Sequence, residues 1–289
     1  MRVAIVGPGA IGLGVASSVA RAGHRVVLYG RRTAGGFDHT FEGTTEHHAV
    51  PIRADPGPVE PADWVLLCTK AYQTQAAAPW LDRLAGPRAG LAVVQNGVDH
   101  RARVADLWSG DVLPVVVSMP CARTTPTSVV QRRTGTMIVP VGARAASFAG
   151  LFDDRVTVSA TDDFVTAAWT KLLTNATVGA CAVLGAVNGA VLTGPLRELG
   201  EGMVREAVAV AQAEGAAFDD VEAMVAKTLA TIAKSPEHRS SITEDRRAGR
   251  PMEWDARNQV VVRTAARHGI PVPLNTAVAA LLATADASP

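Results

Sequence analysis

The sequence predicts an α/β domain built on a parallel sheet, followed by an all-α domain. Three observations carry that prediction. Short β-branched runs alternate with helical stretches over residues 1–162, a glycine turn joins the first run to the first helical stretch, and from about Asp163 the apolar spacing is helical throughout. In the first part, Val3 to Val6, Arg25 to Tyr29, Trp64 to Thr69, Leu91 to Gln95 and Val112 to Val117 read as strands. Ala10 to Ala22 and Gln73 to Ala85 read as helices. Such alternation implies parallel strands whose crossover helices cover both faces of the sheet. Gly57-Pro58, Gly86-Pro87 and Gly110 punctuate the joints, and Gly135 to Val158 is expected to finish the sheet.

In the second part, residues 163–289, Phe164 to Val183, Leu196 to Gly215, Asp220 to Lys234 and Met252 to His268 place apolar residues on one helical face. Pro195, Pro236 and Pro271 suit helix starts or breaks, and a last helix is expected from near Leu274, fraying before Pro289.

Composition narrows the function classes. With 289 residues, 48% hydrophobic and 19% charged, the chain can bury real cores and does not read as disordered. A net charge of +1 and 4% aromatics give no pull toward nucleic acid and no base-stacking surface. No apolar run reaches the roughly 18 residues of a membrane span, and the run after Met1 is too short for a secretory signal. Cys68, Cys121 and Cys181 form neither a disulfide framework nor a zinc pattern, so a reducing cytoplasm is expected. No metal is expected: His47-His48 reads as a solvated loop pair without a third ligand. The apolar helices of the second part offer a face for a homodimer.

The glycine turn reads Gly7-Pro8-Gly9-Ala10-Ile11-Gly12, between strand and helix. In that context G-x-G-x-x-G marks a Rossmann-type dinucleotide-binding domain. Gly7 permits the tight turn, Gly9 lets backbone approach a pyrophosphate, and Gly12 lets helix and strand pack closely. The helix start supplies free N–H groups for phosphate. After the second strand, where an acidic residue would bind the ribose 2′-hydroxyl of NAD, the chain has Tyr29-Gly30-Arg31-Arg32. Two guanidiniums suit a 2′-phosphate, so NADPH/NADP is the expected cofactor; a solvated arginine loop is the plainer alternative. Lys70 and Asn96 follow two further strands, on the side where such folds bind ligands, and are expected to meet cofactor or substrate.

Only four of the 28 basic residues are lysines. One, Lys171, shares a helix face with Asn175 four residues on. Reduction of a ketone by hydride leaves an alkoxide that needs a proton, and a buried ammonium donates one where a guanidinium does not. The competing reading is an amphipathic helix with one snorkelling lysine.

The glycine turn, Cys68-Thr69-Lys70, Gln95-Asn96-Gly97, Lys171 with Asn175, Ser240-Ser241-Ile242-Thr243-Glu244-Asp245 and Gly249-Arg250-Pro251-Met252-Glu253-Trp254-Asp255 together resemble the ketopantoate reductases over nearly the whole chain. The resemblance implies a cytoplasmic NADPH-dependent reduction of the small 2-keto acid 2-dehydropantoate to pantoate, on the route to pantothenate and coenzyme A. It implies Lys171 as proton donor and Asn175, Asn188 and Ser241 as substrate ligands. Glu253 and Asn96 would meet substrate and cofactor, with Lys70 and the backbone at Ala122 along the cofactor. Taken on their own residues, Glu253 suits a helix start and Ser241 a helix cap. Two departures stand out: Gly179, where the family often has an Asn, and Asn258-Gln259, where it usually has Asn-Gly. They keep open a related reductase of another 2-keto acid, ketone or imine; a non-catalytic NADPH-binding regulator is the third reading.

Overall fold

The computed structural model describes residues 1–55, 59, 61–86 and 89–287; Gly57, Pro58, Pro87 and Pro289 lie outside the described residues. The chain divides into two compact units, one of residues 1–95 and 100–164, the other of residues 96–99 and 165–289.

The first unit is Rossmann-like. Its six-stranded sheet runs in the order Ile52–Arg53, Arg25–Tyr29, Arg2–Val6, Trp64–Leu67, Gly90–Val93, Val112–Pro114. Every pairing in it is parallel. Strand order reverses between Arg2–Val6 and Trp64–Leu67, which makes the carboxyl ends of these two strands the place where such sheets bind ligands. Alternate residues feed opposite faces: Val3, Ile5 and Leu66 enter one apolar cluster, Ala4, Val6, Val65 and Leu67 another. The continuous apolar runs are thus explained by burial on both faces.

Several expected elements end elsewhere. The run Val112 to Val117 is divided: Val115 N–H still donates to Val93 O at 3.2 Å, but from Val116 the chain pairs instead with Gly135–Pro140. Gly135–Pro140 and Val156–Thr161 therefore do not finish the parallel sheet but form a separate three-stranded one with Val116–Ser118. The stretch Gln73 to Ala85 begins as two 3₁₀ turns, and the α-helix Ala78–Leu84 opens with Pro79 in its first turn.

A four-stranded sheet in the order Cys121–Thr125, Ser128–Gln131, Phe37–Phe41, Thr44–His48 was not expected at all. It also corrects the reading of His47-His48 as a loop. Both close a strand; His48 stacks on Phe37 at 5.0 Å between ring centroids and contacts Ser17 Oγ at 3.0 Å. The polar composition of Thr44–His48, exposed at Thr44, Thr45 and His47, hides the strand from a hydrophobic-pattern reading.

The second unit is all-α. Trp169, Leu172, Leu173 and Ala176 of Phe164–Thr177 share an apolar cluster with Val204, Val208 and Ala211 of Gly194–Ala213. Burying each such aliphatic side chain contributes about 1.5–3 kcal/mol. Asp220 caps Val221–Ala233 by accepting from Ala223 N–H at 3.0 Å. Glu206 accepts the N–H groups of Leu274 and Asn275 at 2.8 and 2.9 Å, anchoring the start of Pro273–Ala287.

Two helices depart from expectation at linked positions. The stretch Phe164 to Val183 breaks into Phe164–Thr177 and Gly179–Leu184. Met252 to His268 starts only at Asp255, as a π-helical turn Asp255–Gln259 that leads into Val260–His268. From that wide turn the buried Asn258 donates to Ala176 O at 2.9 Å, at the end of Phe164–Thr177. A side chain inserted at a helix end is a recognised cause of such a break. Among the described residues no helix is long and apolar enough to cross a membrane.

Candidate active site

In the first unit, the turn after Arg2–Val6 is closed by backbone. Gly7, at φ +105°, donates to Tyr29 O at 2.9 Å, and Gly9 N–H donates to Gly7 O at 2.8 Å. A Cβ on Gly12 would lie 2.0 Å from Gly7 O, and one on Gly7 would lie 2.6 Å from Thr69 N. At Gly9 a Cβ would meet nothing within 4 Å. Two glycines are therefore required by packing and the third faces open space. Gly9 also begins the helix Ala10–Arg21 without a side-chain cap, which leaves Ala10, Ile11 and their neighbours with the free N–H groups of a first turn.

Pro8 is packed by Gly30, where a Cβ would fall 2.5 Å from Pro8 Cδ. Arg31 and Arg32, both exposed, follow directly on Gly30 and so on the residue packed against the glycine turn. Lys70 is half-buried at the end of the Trp64–Leu67 segment. Gln95, only 3% exposed, donates to Thr69 O at 3.1 Å and Thr69 Oγ1 at 2.9 Å, locking two strand ends together. Ala122 is half-buried on Cys121–Thr125, paired with Val130. The glycine turn, Arg31, Arg32 and the Thr69-Lys70 corner thus all follow the carboxyl ends of three adjacent strands of the parallel sheet.

The second unit holds the reactive cluster. Lys171 Nζ donates to Asn96 Oδ1 at 3.1 Å, and Asn96 Nδ2 donates to Glu253 Oε2 at 3.0 Å. This relay fixes the Asn96 carboxamide, its oxygen toward the ammonium and its nitrogen toward the carboxylate. Glu253, 4% exposed, lies just before the π-helical turn rather than within a helix start. Burial, helped by the nearby charge of Arg257 and partly offset by Glu253, brings the Lys171 ammonium down to about 7. A group with that value is half-protonated near neutrality, the condition for efficient general acid catalysis.

Asn175 is half-buried on the same helix as Lys171. Ser241 does not cap: Ser240 holds the N-cap position, and Ser241 Oγ accepts from Arg257 Nη2 at 2.8 Å. Asn188 Oδ1 accepts Ser240 N–H at 3.1 Å, so its carboxamide holds the backbone beside Ser241. Lys171, Asn96, Glu253 and Ser241 are joined in one network through Arg257, whose charge reaches both Lys171 and Glu253. Asn188 stands one step back from it.

Sequence reasoning missed two members of this cluster. Arg257 was hidden by an arginine-rich composition; its place four residues beyond Glu253 was the available clue. Asn258 was noted only as a departure. A Cβ at Gly179 would lie 2.4 Å from Asn258 Oδ1, so the space of the expected Asn is filled from another element. Among the described residues no group of three or more His, Cys, Asp or Glu could hold a metal.

The family model described as ketopantoate reductase PanE/ApbA matches residues 3–144, and its C-terminal counterpart matches residues 163–286. The chain is 40% identical to a 2-dehydropantoate 2-reductase of Caulobacter vibrioides, covering 97% of each chain. It is 38% identical to the 2-dehydropantoate 2-reductase of Mycobacterium tuberculosis, over 99% of this chain and 98% of the relative. The crystal structure of a PanE/ApbA family ketopantoate reductase from Ralstonia eutropha superposes with a TM-score of 0.90 at 30% identity, covering 99% of this chain and 98% of that one. The glycine turn, the lysine relay and the helical second unit accordingly belong to one inheritance: this chain is a member of the ketopantoate reductase family.

Proposed function

We propose that the chain is an NADP-dependent oxidoreductase that reduces 2-dehydropantoate to pantoate. The observation that carries the reading is the Lys171–Asn96–Glu253 relay, which presents an ammonium with a value of about 7 on a unit that follows a dinucleotide-type glycine turn. Gly7, Pro8, Gly9, Ala10, Ile11 and Gly12 fit a pyrophosphate: the direction of a Gly9 Cβ is open while Gly7 and Gly12 are closed by backbone. Arg31 and Arg32 suit the 2′-phosphate. Lys70 and the backbone at Ala122 are assigned to the same cofactor. NADPH, when bound, supplies the hydride.

The protein's own work is proton delivery and binding. As the carbonyl oxygen gains negative charge, Lys171 Nζ donates its proton there, leaving the hydroxyl of the product and a neutral amine that solvent reprotonates. Asn96 holds the lysine in place, Glu253 keeps its protonated form populated, and Asn175 and Ser241 are assigned to the substrate. Asn188 supports Ser241 through the Ser240 backbone. Nucleotide binding is assigned to residues 1–162 and catalysis to residues 163–289 together with Asn96; the cytoplasm is the assigned compartment, and the apolar helices of the second part offer a face for a homodimer.

The test is NADPH oxidation, followed by absorbance, with ketopantoate among a panel of 2-keto acids. Preferred turnover of ketopantoate is expected. A tenfold or greater preference for another acid would reassign the substrate, and NADPH binding without turnover of any carbonyl would make the chain a cofactor-binding regulator.

A further inference from the structure

Arg257 has no part in the functions assigned above, yet it is the most enclosed cation of the cluster. It is 3% exposed, and among the described residues its guanidinium makes one hydrogen bond, from Nη2 to the neutral Ser241 hydroxyl. Nε and Nη1 are buried and have no acceptor. Buried charges in proteins are ordinarily paired and their donors satisfied. The carboxylates whose charge reaches Arg257 are engaged with other donors: Glu253 Oε2 with Asn96 and Asp245 Oδ1 with Arg250 Nε, at 3.0 and 2.9 Å.

Three features say what the free donors await. Ser241, the current acceptor, is exposed, so Nη2 lies one hydrogen bond from a residue that solvent and a solute anion meet. The guanidinium is a planar fork, the geometry that matches a carboxylate bidentately. Arg257 also lies close enough to Lys171 for its charge to act on the ammonium. In a 2-keto acid the carboxylate is bonded directly to the carbonyl carbon. The group that holds the carboxylate must therefore neighbour the group that protonates the carbonyl oxygen.

We propose that Arg257 is the carboxylate anchor of this site, its guanidinium fork binding the 2-keto acid's carboxylate beside the Ser241 hydroxyl. The assignment rests on the reductase reading above and names the substrate feature that the site requires. It places Arg257 in substrate binding, with Lys171 acting on the adjacent carbonyl.

The test compares ketopantoate with ketopantoyl lactone, which carries the same ketone without a free carboxylate, in the wild-type enzyme and in Arg257→Met and Arg257→Lys. Loss of a charge-assisted contact predicts that Arg257→Met raises KM for ketopantoate about 10- to 150-fold. Its kcat/KM for the lactone and KM for NADPH are expected to stay within about threefold, since neither meets the guanidinium. The basic limb of the kcat profile should also move to higher pH, because a positive neighbour of Lys171 is gone. Equal losses on both substrates, or an unchanged KM for ketopantoate, would overturn the proposal. If Arg257→Met does not fold, Arg257→Lys decides it, since it keeps a buried cation and loses only the fork. A rise in KM confined to ketopantoate supports the anchor, and parallel losses reject it. A wild-type enzyme that reduces no keto acid removes the functional reading and this inference with it, whereas an active wild type with unselective variants removes the inference alone.

Discussion

The glycine turn and the lysine cluster are built by opposite means. The turn is backbone: consecutive residues, one positive φ, and close contacts that exclude a Cβ at Gly7 and Gly12. The cluster is side chains drawn from distant segments, Asn96, Lys171, Ser241, Glu253 and Arg257, joined by hydrogen bonds and charge. A site made of backbone is written in adjacent letters. A site made of side chains depends on which helices meet, and only its reactive member is conspicuous.

That contrast can be broken at its strongest point first. Lys171→Ala should lower kcat by about 10²–10⁴-fold, the usual worth of a positioned general acid; a change below about threefold in steady-state assays would assign the proton to another group. Arg31→Ala should cut the kcat/KM preference for NADPH over NADH by about 10- to 150-fold, the worth of one charge-assisted bond. A wild-type enzyme with equal kcat/KM for the two cofactors would show that the exposed pair is only solvated.

Smaller effects sharpen the comparison. Because catalysis needs the protonated amine, kcat should fall as pH rises through about 7. Glu253 raises that value, so Glu253→Gln should carry the falling limb to lower pH; an upward displacement would reverse the assigned electrostatics. Among the residues assigned to neither site, Asp220→Ala removes a helix cap and should cost about 1 kcal/mol in denaturant unfolding with kcat unaltered.

Much of the fold was legible because its principal strands are buried on both faces and its helices on one. Arg25–Tyr29 appears where its β-branched run predicts it. The four-stranded sheet was not legible, since Phe37–Phe41 and Thr44–His48 mix histidine, threonine and acid and draw their support from partners far along the chain. His39 shows the difficulty: a polar residue fully buried, in contact with Ser17 Oγ at 2.7 Å and beside Arg155. In the second unit Lys171 stood out by rarity. The relay through Asn96 did not, because nothing local in Gln95-Asn96-Gly97 says that the carboxamide joins a helix 75 residues away. The break at Val178 was likewise set by Asn258, a residue of another helix.

The packing of Gly179 against Asn258 makes the two positions a single locus for anyone redesigning this helix junction. Introducing Ala at 179 alone should destabilise the fold by about 1–3 kcal/mol, as overpacking does. Pairing it with Asn258→Ala should return part of that loss in a double-mutant cycle. Grafting the commoner Asn onto position 179 is therefore a two-letter edit, and libraries that vary position 179 alone will sample mainly destabilised variants.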